Sequence, residues 1–552
     1  MSSWSSVGEQ GFDVLVIGGG INGVAIAREC AKKGSRVLLV EQNDFASGTT
    51  SRSTRIIHGG LRYLELGEIG LVRESLRERE NLLMQSPHLV RPLEFLLALP
   101  SRSRSFMHSS LAVRTGLWLY QHWAGGRRAP QGDRAAFERQ LDSGKSWAVY
   151  SYEDAQCEFP ERLVAEWLAE CLAAGALVRN HTQVLEVVRN GGRATGVRLR
   201  DLISSQEYTV SAKWIVNATG PWVDSVIGSS RINSKKLIGG VRGTHLVLPR
   251  FPGAINQPLY AEAPDGRQIF VIPWNGQVLV GTTEVADTGK PDNPQPAPEE
   301  IDYLFKGFLR LFPNSALTKE DIRYAFAGIR PLPNSPGAKY SAVTRRHLLY
   351  DHRDEGAIGL ISVIGGKLTT AASLARDVGR KLGLDIREPA SVFAAPATEE
   401  DLDATVLLWA RLVAEKARIP EGCARGIAEW HGRRAFAIAR AASLDERLRE
   451  PICSHSCHLV AEATEAAAHE CAITLGDILL RRVPVALGAC WSEACSREAA
   501  TRIGAVLGWE DSRIHHELEH FEEERRNFLH PQGRALELKE PPVPKPAISS
   551  SI

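Results

Sequence analysis

Several things are scarce in this 552-residue chain. No stretch approaches the roughly eighteen consecutive apolar residues of a bilayer-crossing helix, so a membrane span is not expected. Formal net charge is only +1, from 66 Lys and Arg against 65 Asp and Glu. Bulk charge therefore gives no reason to expect nucleic acid as a partner. Nine cysteines are scattered thinly and no secretory signal precedes the first strand. Both point to a reducing cytoplasm and free thiols. What remains is an ordinary globular composition, 43% apolar and 24% charged, which leaves disorder to the ends. The length predicts two or three domains.

Against that plain background one stretch stands out. Asp13-Val-Leu-Val-Ile-Gly18-Gly-Gly20-Ile-Asn-Gly23 is an apolar run that stops at glycines and leads into a small-residue helix. A second apolar run, Val37-Leu-Leu-Val40, ends at Glu41. Strand, glycine turn, helix, strand and terminal acid in this order form the dinucleotide-binding fingerprint. Gly18 permits the tight turn, Gly20 lets backbone N–H groups approach a pyrophosphate, and Gly23 lets helix and strand pack closely. Glu41 stands where a carboxylate accepts ribose hydroxyls. Alone, this element allows NAD or FAD.

Two further apolar runs end in glycine turns: Trp214 to Gly220-Pro-Trp222, and Gly359 to Gly365-Gly366-Lys367-Leu368-Thr369-Thr370. Economy places these strands in one sheet with the first. They close a cradle along a long cofactor, which favours FAD. Helices are expected at Leu71–Met84, Leu163–Ala174 and Glu299–Phe312. Alternating antiparallel strands are expected through Gly243–Glu284. Beyond Ala394 the pattern becomes helical, and 531–552 reads as a disordered tail. Residues 94–128 mix aromatics with arginines. They fit a helix lying on a membrane surface and, equally, a helix packed on its own domain.

Several residues are candidates for chemistry. Gly365-Gly366 ahead of a helix is an anion site suited to charge on a reduced flavin, or a plain strand-to-helix loop. Arg62, Arg330, Arg345 and Lys367 sit beside turns, and their convergence would mean an anionic substrate. His58 and His245 are candidate bases. Cys453-Ser-His455-Ser-Cys457-His458 looks like a metal cluster, but the spacing fits no zinc pattern and it reads as a loop, so no metal is expected.

Ile17–Gly23, Ile57-His-Gly-Gly-Leu-Arg-Tyr-Leu-Glu65, Val216–Trp222, Val280-Gly-Thr-Thr-Glu284, Gly328-Ile-Arg-Pro-Leu332 and Gly365–Thr370 occur in the order seen in the flavin-dependent glycerol-3-phosphate dehydrogenases, which the chain resembles over roughly residues 11 to 525. The resemblance implies an α/β fold: an FAD-binding Rossmann-like domain, an interleaved antiparallel-sheet cap, and a C-terminal all-helical domain. It divides the chain into FAD-binding parts at 11–93, 146–235 and 341–393, a cap or membrane-contact segment at 94–145, a substrate cap at 236–340, a helical domain at 394–530 and the tail.

The resemblance also implies FAD, sn-glycerol 3-phosphate as substrate, quinone as electron acceptor and peripheral contact with the inner face of the cell membrane. A homodimer stays open. By motif, Arg62, Tyr63, Arg330, Arg345, Lys367 and Thr369 would line the substrate pocket. Arg330 and Arg345 would hold the phosphate, with His245 as base and Lys367 or Arg330 steadying the alkoxide. FAD contacts would come from Gly18, Gly20, Gly23, Glu41, Thr49, Thr50, Ser53, His58, Gly59, Ala218, Gly220, Gly365, Gly366 and Leu368. The chain departs from the family's habit at Arg52, Arg55, Phe159–Arg162, Glu284 and Ala371-Ala372. The alternatives are an oxidase using oxygen, an FAD oxidoreductase of a 2-hydroxy acid or amino acid, and a flavin-binding scaffold without turnover.

Overall fold

A computed structural model describes residues 11–65, 67–100, 110–123, 138–139, 141–142, 147–254, 256–263, 265, 267–287, 289, 291–338, 340, 343–385 and 399–532. The arginine clusters at 101–104 and 127–128 and nearly all of the expected tail lie outside these residues, as do the side chains of Arg62 and Leu111.

Two sheets form the frame. The first has eight strands, and its central path runs Leu348–Asp351, Leu360–Ile364, Glu207–Asn217, Phe12–Ile17, Val37–Val40, Leu177–Arg179. From 360–364 onward the neighbours are parallel. The three glycine-ended strands thus lie side by side, as their sequences imply. Val37–Val40 is buried throughout, the continuous apolar run of a strand covered on both faces. Helices Ile21–Lys32, Pro160–Ala173 and Ala371–Lys381 provide part of that cover.

The second sheet has nine strands, mostly antiparallel, and forms the cap. Its long pair is Ile238–Pro249 against Tyr324–Pro333, in register over ten positions. Side-chain alternation splits its faces. Leu246 and Leu248 pack beneath helix Pro298–Leu311 with Phe305 and Phe308, whereas Gly243 and His245, and across from them Gly328, Arg330 and Leu332, face the central cavity. The cap also takes strands from outside 236–340. Val90–Pro100 pairs with Trp147–Cys157 along eleven positions, and Ile56–Ile57 adds an edge. An unbroken eleven-residue ladder runs across the expected boundaries at 93 and 145 and joins the two flanks of the 94–145 segment.

Helix Ser110–Trp123 belongs to that segment. Its Leu117 and Tyr120 are buried in the cap core, while Trp118 is 62% exposed and stacks on His122. Packing against its own domain is what the described part shows. Among the described residues no helix is long and apolar enough to cross a membrane.

The C-terminal helices are tied to the nucleotide domain by buried charge. Asp44, three residues after Glu41, accepts from Arg482 Nη1 and Nη2 at 2.6 and 2.7 Å and from Arg481 Nε. Arg162 grips Glu470 with both nitrogens at 2.8 and 3.0 Å. Two departures from the family's habit answer each other here. Arg55 does not add free charge to the pyrophosphate turn, because its guanidinium meets both Glu161 oxygens at 2.9 Å, fully buried, with Trp274 beneath it. The expectation of nine free thiols is also corrected. Cys423 and Cys457 form a disulfide, because helix Glu421–His431 brings their Cα atoms to 4.7 Å.

Candidate active site

A cavity of about 440 Å³ is walled by both sheets. The fingerprint builds one part of it. Gly18 adopts φ +104°, and a Cβ there would meet the carbonyl of Ala218 at 2.7 Å, so the neighbouring strand can approach. Thr50 Oγ1 accepts from the Ile21 N–H at 3.1 Å and so caps the first helix. Thr49 Oγ1 donates to the Ile329 carbonyl at 2.8 Å, joining this loop to the cap. Ser53 Oγ accepts from Arg55 N–H at 3.2 Å. The Glu41 carboxylate accepts from the N–H groups of Gly19 and Asn43 at 2.6 and 2.9 Å, and burial raises its pKa against those bonds. A carboxylate has about four acceptor sites, so lone pairs remain for a ribose.

Gly18, Gly20, Glu41, Thr49, Thr50, Ser53, His58, Ala218, Gly220, Gly365, Gly366 and Leu368 all line the cavity. Gly23 and Gly59 do not. Added Cβ atoms would strike the Gly18 carbonyl at 1.9 Å and Leu76 at 2.4 Å, so close packing requires glycine at both positions. The Gly59 N–H is held instead by the buried Asp154 carboxylate, which also binds Arg79 and Tyr120. The helix expected directly after Gly366 begins only at Ala371, because Thr370 takes the N-cap position. The N–H groups nearest the glycines are those of the 367–370 turn.

The cap and this turn supply the charged part of the cavity. Arg330 donates to the Thr283 carbonyl at 3.1 Å and to Thr282 Oγ1 at 3.0 Å, and its Nη1 lies 3.9 Å from Glu284 Oε1. Arg345 Nη2 donates to that same oxygen at 2.7 Å. Two arginines from separate elements therefore converge on one carboxylate oxygen. Gly243 makes room for the Arg330 fork, which a Cβ would strike at 2.7 Å.

Lys367 Nζ sits 4.2 Å over the Tyr63 ring and 3.3 Å from Ser75 Oγ. Burial pushes it down to about 7. His58, beside it, is lowered to about 3 by burial and by Lys367. Thr369 Oγ1 accepts from the His58 N–H at 3.1 Å, so it lines the cavity while fixing the His58 backbone. His245 stacks on Phe326, and its Nε2 is 3.0 Å from Thr54 Oγ1. Burial, then Arg330 and Arg55, hold it near 3 as a neutral imidazole. Of Arg62, only its place in the helical turn Arg62–Glu65 is described.

Whether FAD suits this cavity is testable on its own atoms. Buried polar atoms without a hydrogen-bond partner cluster here: Asn22 Oδ1, Arg52 Nε, Arg55 Nε, Glu68 Oε2, His245 Nδ1 and Arg345 Nη1 all belong to lining residues. Such atoms are costly unless a ligand or water meets them. The residues fit a long polar cofactor followed by an anion. Sequence reasoning missed Glu284 as the arginines' partner, and also Thr54, Asn22 and Asp154. Asn22, whose Nδ2 donates to the Gly365 carbonyl while its Oδ1 has no partner, carries a signal, since it stands inside the glycine motif.

Comparison with known proteins agrees. Residues 13–372 match the family described as FAD dependent oxidoreductase, and residues 403–514 match the C-terminal domain of alpha-glycerophosphate oxidase. A glycerol-3-phosphate dehydrogenase of Synechocystis sp. is 39% identical over 71% of this chain and 73% of its own. A D-erythritol 1-phosphate dehydrogenase of Brucella abortus is 37% identical over 66% of this chain and 72% of its own. The crystal structure of the glycerol-3-phosphate dehydrogenase from Bacillus halodurans, complexed with FAD, superposes with a TM-score of 0.73 at 25% identity, covering 95% of this chain and 96% of that one. The chain is an FAD-dependent oxidoreductase and belongs to the glycerol-3-phosphate dehydrogenase family.

Proposed function

We propose that this chain oxidises sn-glycerol 3-phosphate to dihydroxyacetone phosphate and passes the electrons to quinone. The observation that carries this reading is the convergence of Arg330 and Arg345 on one oxygen of Glu284 inside the cavity that fits FAD. Two guanidinium forks suit a phosphate dianion. Bound FAD supplies a hydride acceptor at flavin N5. The arginines hold the phosphate and so fix where C2 lies, which lowers the entropic part of the barrier. The C2 hydroxyl proton passes to His245, whose neutral ring has an unpartnered Nδ1, as hydride leaves C2 and the C–O bond becomes a carbonyl. Thr54 orients the other ring nitrogen. Protonated Lys367 steadies negative charge developing on the oxygen.

The relatives' naming as dehydrogenases favours quinone over oxygen. Trp118 on helix 110–123 is the exposed apolar group through which the chain would meet the inner face of a membrane. Retention of activity on anionic liposomes, lost in Trp118→Ser, tests that contact; equal recovery in the supernatant for both proteins contradicts it.

Two further results are expected. With Lys367 near 7, kcat/KM falls as pH rises through about 7, because the required cation is lost from the free enzyme. Lys367→Arg moves that limb to higher pH; a limb that stays in place assigns it to another group. Glu284→Gln removes the carboxylate that competes with phosphate for both arginines, and KM falls by about tenfold with FAD content unchanged. A raised KM would show that Glu284 assists binding instead.

A further inference from the structure

The helical domain holds soft donors that the flavin chemistry does not use. Cysteines 423, 453, 457, 471, 490 and 495 all lie within it. The disulfide removes Cys457 from the run Cys453 to His458. His458 is engaged by Glu462 at 2.9 Å and stacks on Trp430. The two donors that remain, Cys453 and His455, are met from elsewhere. Helix Glu493–Leu507 brings Cys495 against them, 40 residues further along the chain.

The donor atoms of Cys453, His455 and Cys495 all lie within 4.8 Å of one another. His455 Nδ1 is 3.4 Å from Cys495 Sγ. In a tetrahedral zinc site, Zn–S of about 2.3 Å and Zn–N of about 2.0–2.1 Å place S and N about 3.6 Å apart. The arrangement is held before any ion arrives. Ser454 donates to Glu498 through its N–H at 2.7 Å and its hydroxyl at 3.0 Å, which fastens the loop to the helix. Ser492 caps that helix by accepting from the Cys495 N–H at 3.3 Å. Both sulfurs belong to buried residues, while His455 is exposed and offers the ion a way in.

We propose that Cys453, His455 and Cys495 bind a thiophilic divalent cation, zinc by preference, as a structural site joining the 453–458 loop to the 493–507 helix. Two sulfurs and one imidazole are the donor set that selects zinc over oxygen-seeking cations. The thiols release their protons to solvent on binding, and no electron is transferred. The fourth position is left to solvent at the exposed His455 edge.

The test uses the FAD-loaded enzyme, purified without chelator, desalted and assayed for metal by elemental mass spectrometry. About one zinc per chain is expected. Cobalt(II) exchanged into the chelator-treated enzyme should give thiolate-to-cobalt charge transfer and tetrahedral d–d absorption. His455→Asn, at an exposed position, should weaken zinc retention more than about tenfold, and Cys495→Ser should abolish it. The flavin spectrum of each variant reports that it remains folded. Cys30→Ser, a buried thiol elsewhere, should keep its zinc. The proposal is overturned if the enzyme takes up no zinc or cobalt, if His455→Asn and Cys495→Ser hold metal as the parent does, or if peptide mapping of fresh enzyme finds Cys453 disulfide-bonded to Cys495.

Discussion

Arg330→Ala is expected to raise KM for sn-glycerol 3-phosphate by about a hundred- to a thousandfold while the protein stays yellow. A hydrogen bond to a charged partner contributes about 1.5–3 kcal/mol, and the Arg330 fork can offer two to a phosphate. Two such bonds amount to about 3–6 kcal/mol, and the loss falls at the lower end, about 3–4 kcal/mol, because Arg345 remains. Glu284 would also be left beside the incoming dianion with one cation fewer to balance it. FAD should remain, because Arg330 lies on the cap strand 324–333 and not in the glycine turns. Arg345→Ala should act in the same direction. The double variant should fall short of the summed effects, because both arginines share one carboxylate. Steady-state kinetics alongside the flavin absorbance provide the check. A variant that turns over the phosphate ester with the parent's KM would show that the phosphate binds elsewhere.

The second large effect concerns stability. Asp44→Ala should destabilise the protein by about 3–5 kcal/mol, the usual result of leaving buried charge without its counter-ion. Asp44 is 2% exposed and holds Arg481 and Arg482 together, with Asn180 Nδ2 donating to it at 3.0 Å. Arg481 retains Glu524 and Asp477, but Arg482 loses its only carboxylate within bonding distance among the described residues. Thermal melts followed by tryptophan fluorescence should show an earlier transition. Limited proteolysis should release the 399–530 helices before the flavin domain. Unchanged melting would mean that packing alone joins the two domains.

What the sequence made legible was local. The glycines at 18, 20 and 23 with Glu41 carry their meaning in spacing, so the nucleotide turn could be read directly. The strands near 14, 214 and 360 could be placed in one sheet because each ends in the same kind of turn. Pairings across long separations could not be read. Arg55 and Glu161 each look like an irregularity alone and become an ion pair only once the chain folds across a separation of 106 positions. Val90–Pro100 carries no local mark of its partner strand, which follows a long arginine-rich interval. Glu284 takes its meaning only from Arg330 and Arg345, which come from distant stretches of chain to one of its oxygens. The helix after Gly366 begins only at Ala371, because Thr369 ties down His58 and Thr370 takes the cap position, and neither role shows in the local sequence. Cys495 could not be assigned to His455, since no zinc spacing links them in sequence.

If Arg330, Arg345, Lys367 and His245 present sn-glycerol 3-phosphate to FAD, that ester reduces the flavin. Anaerobic titration of the purified flavoprotein tests it most directly. sn-Glycerol 3-phosphate should bleach the flavin band stoichiometrically, with dihydroxyacetone phosphate formed in equal amount, and glycerol, lactate and amino acids should leave the spectrum unchanged. Bleaching by D-erythritol 1-phosphate in preference to glycerol 3-phosphate, or by a 2-hydroxy or amino acid at all, would contradict it.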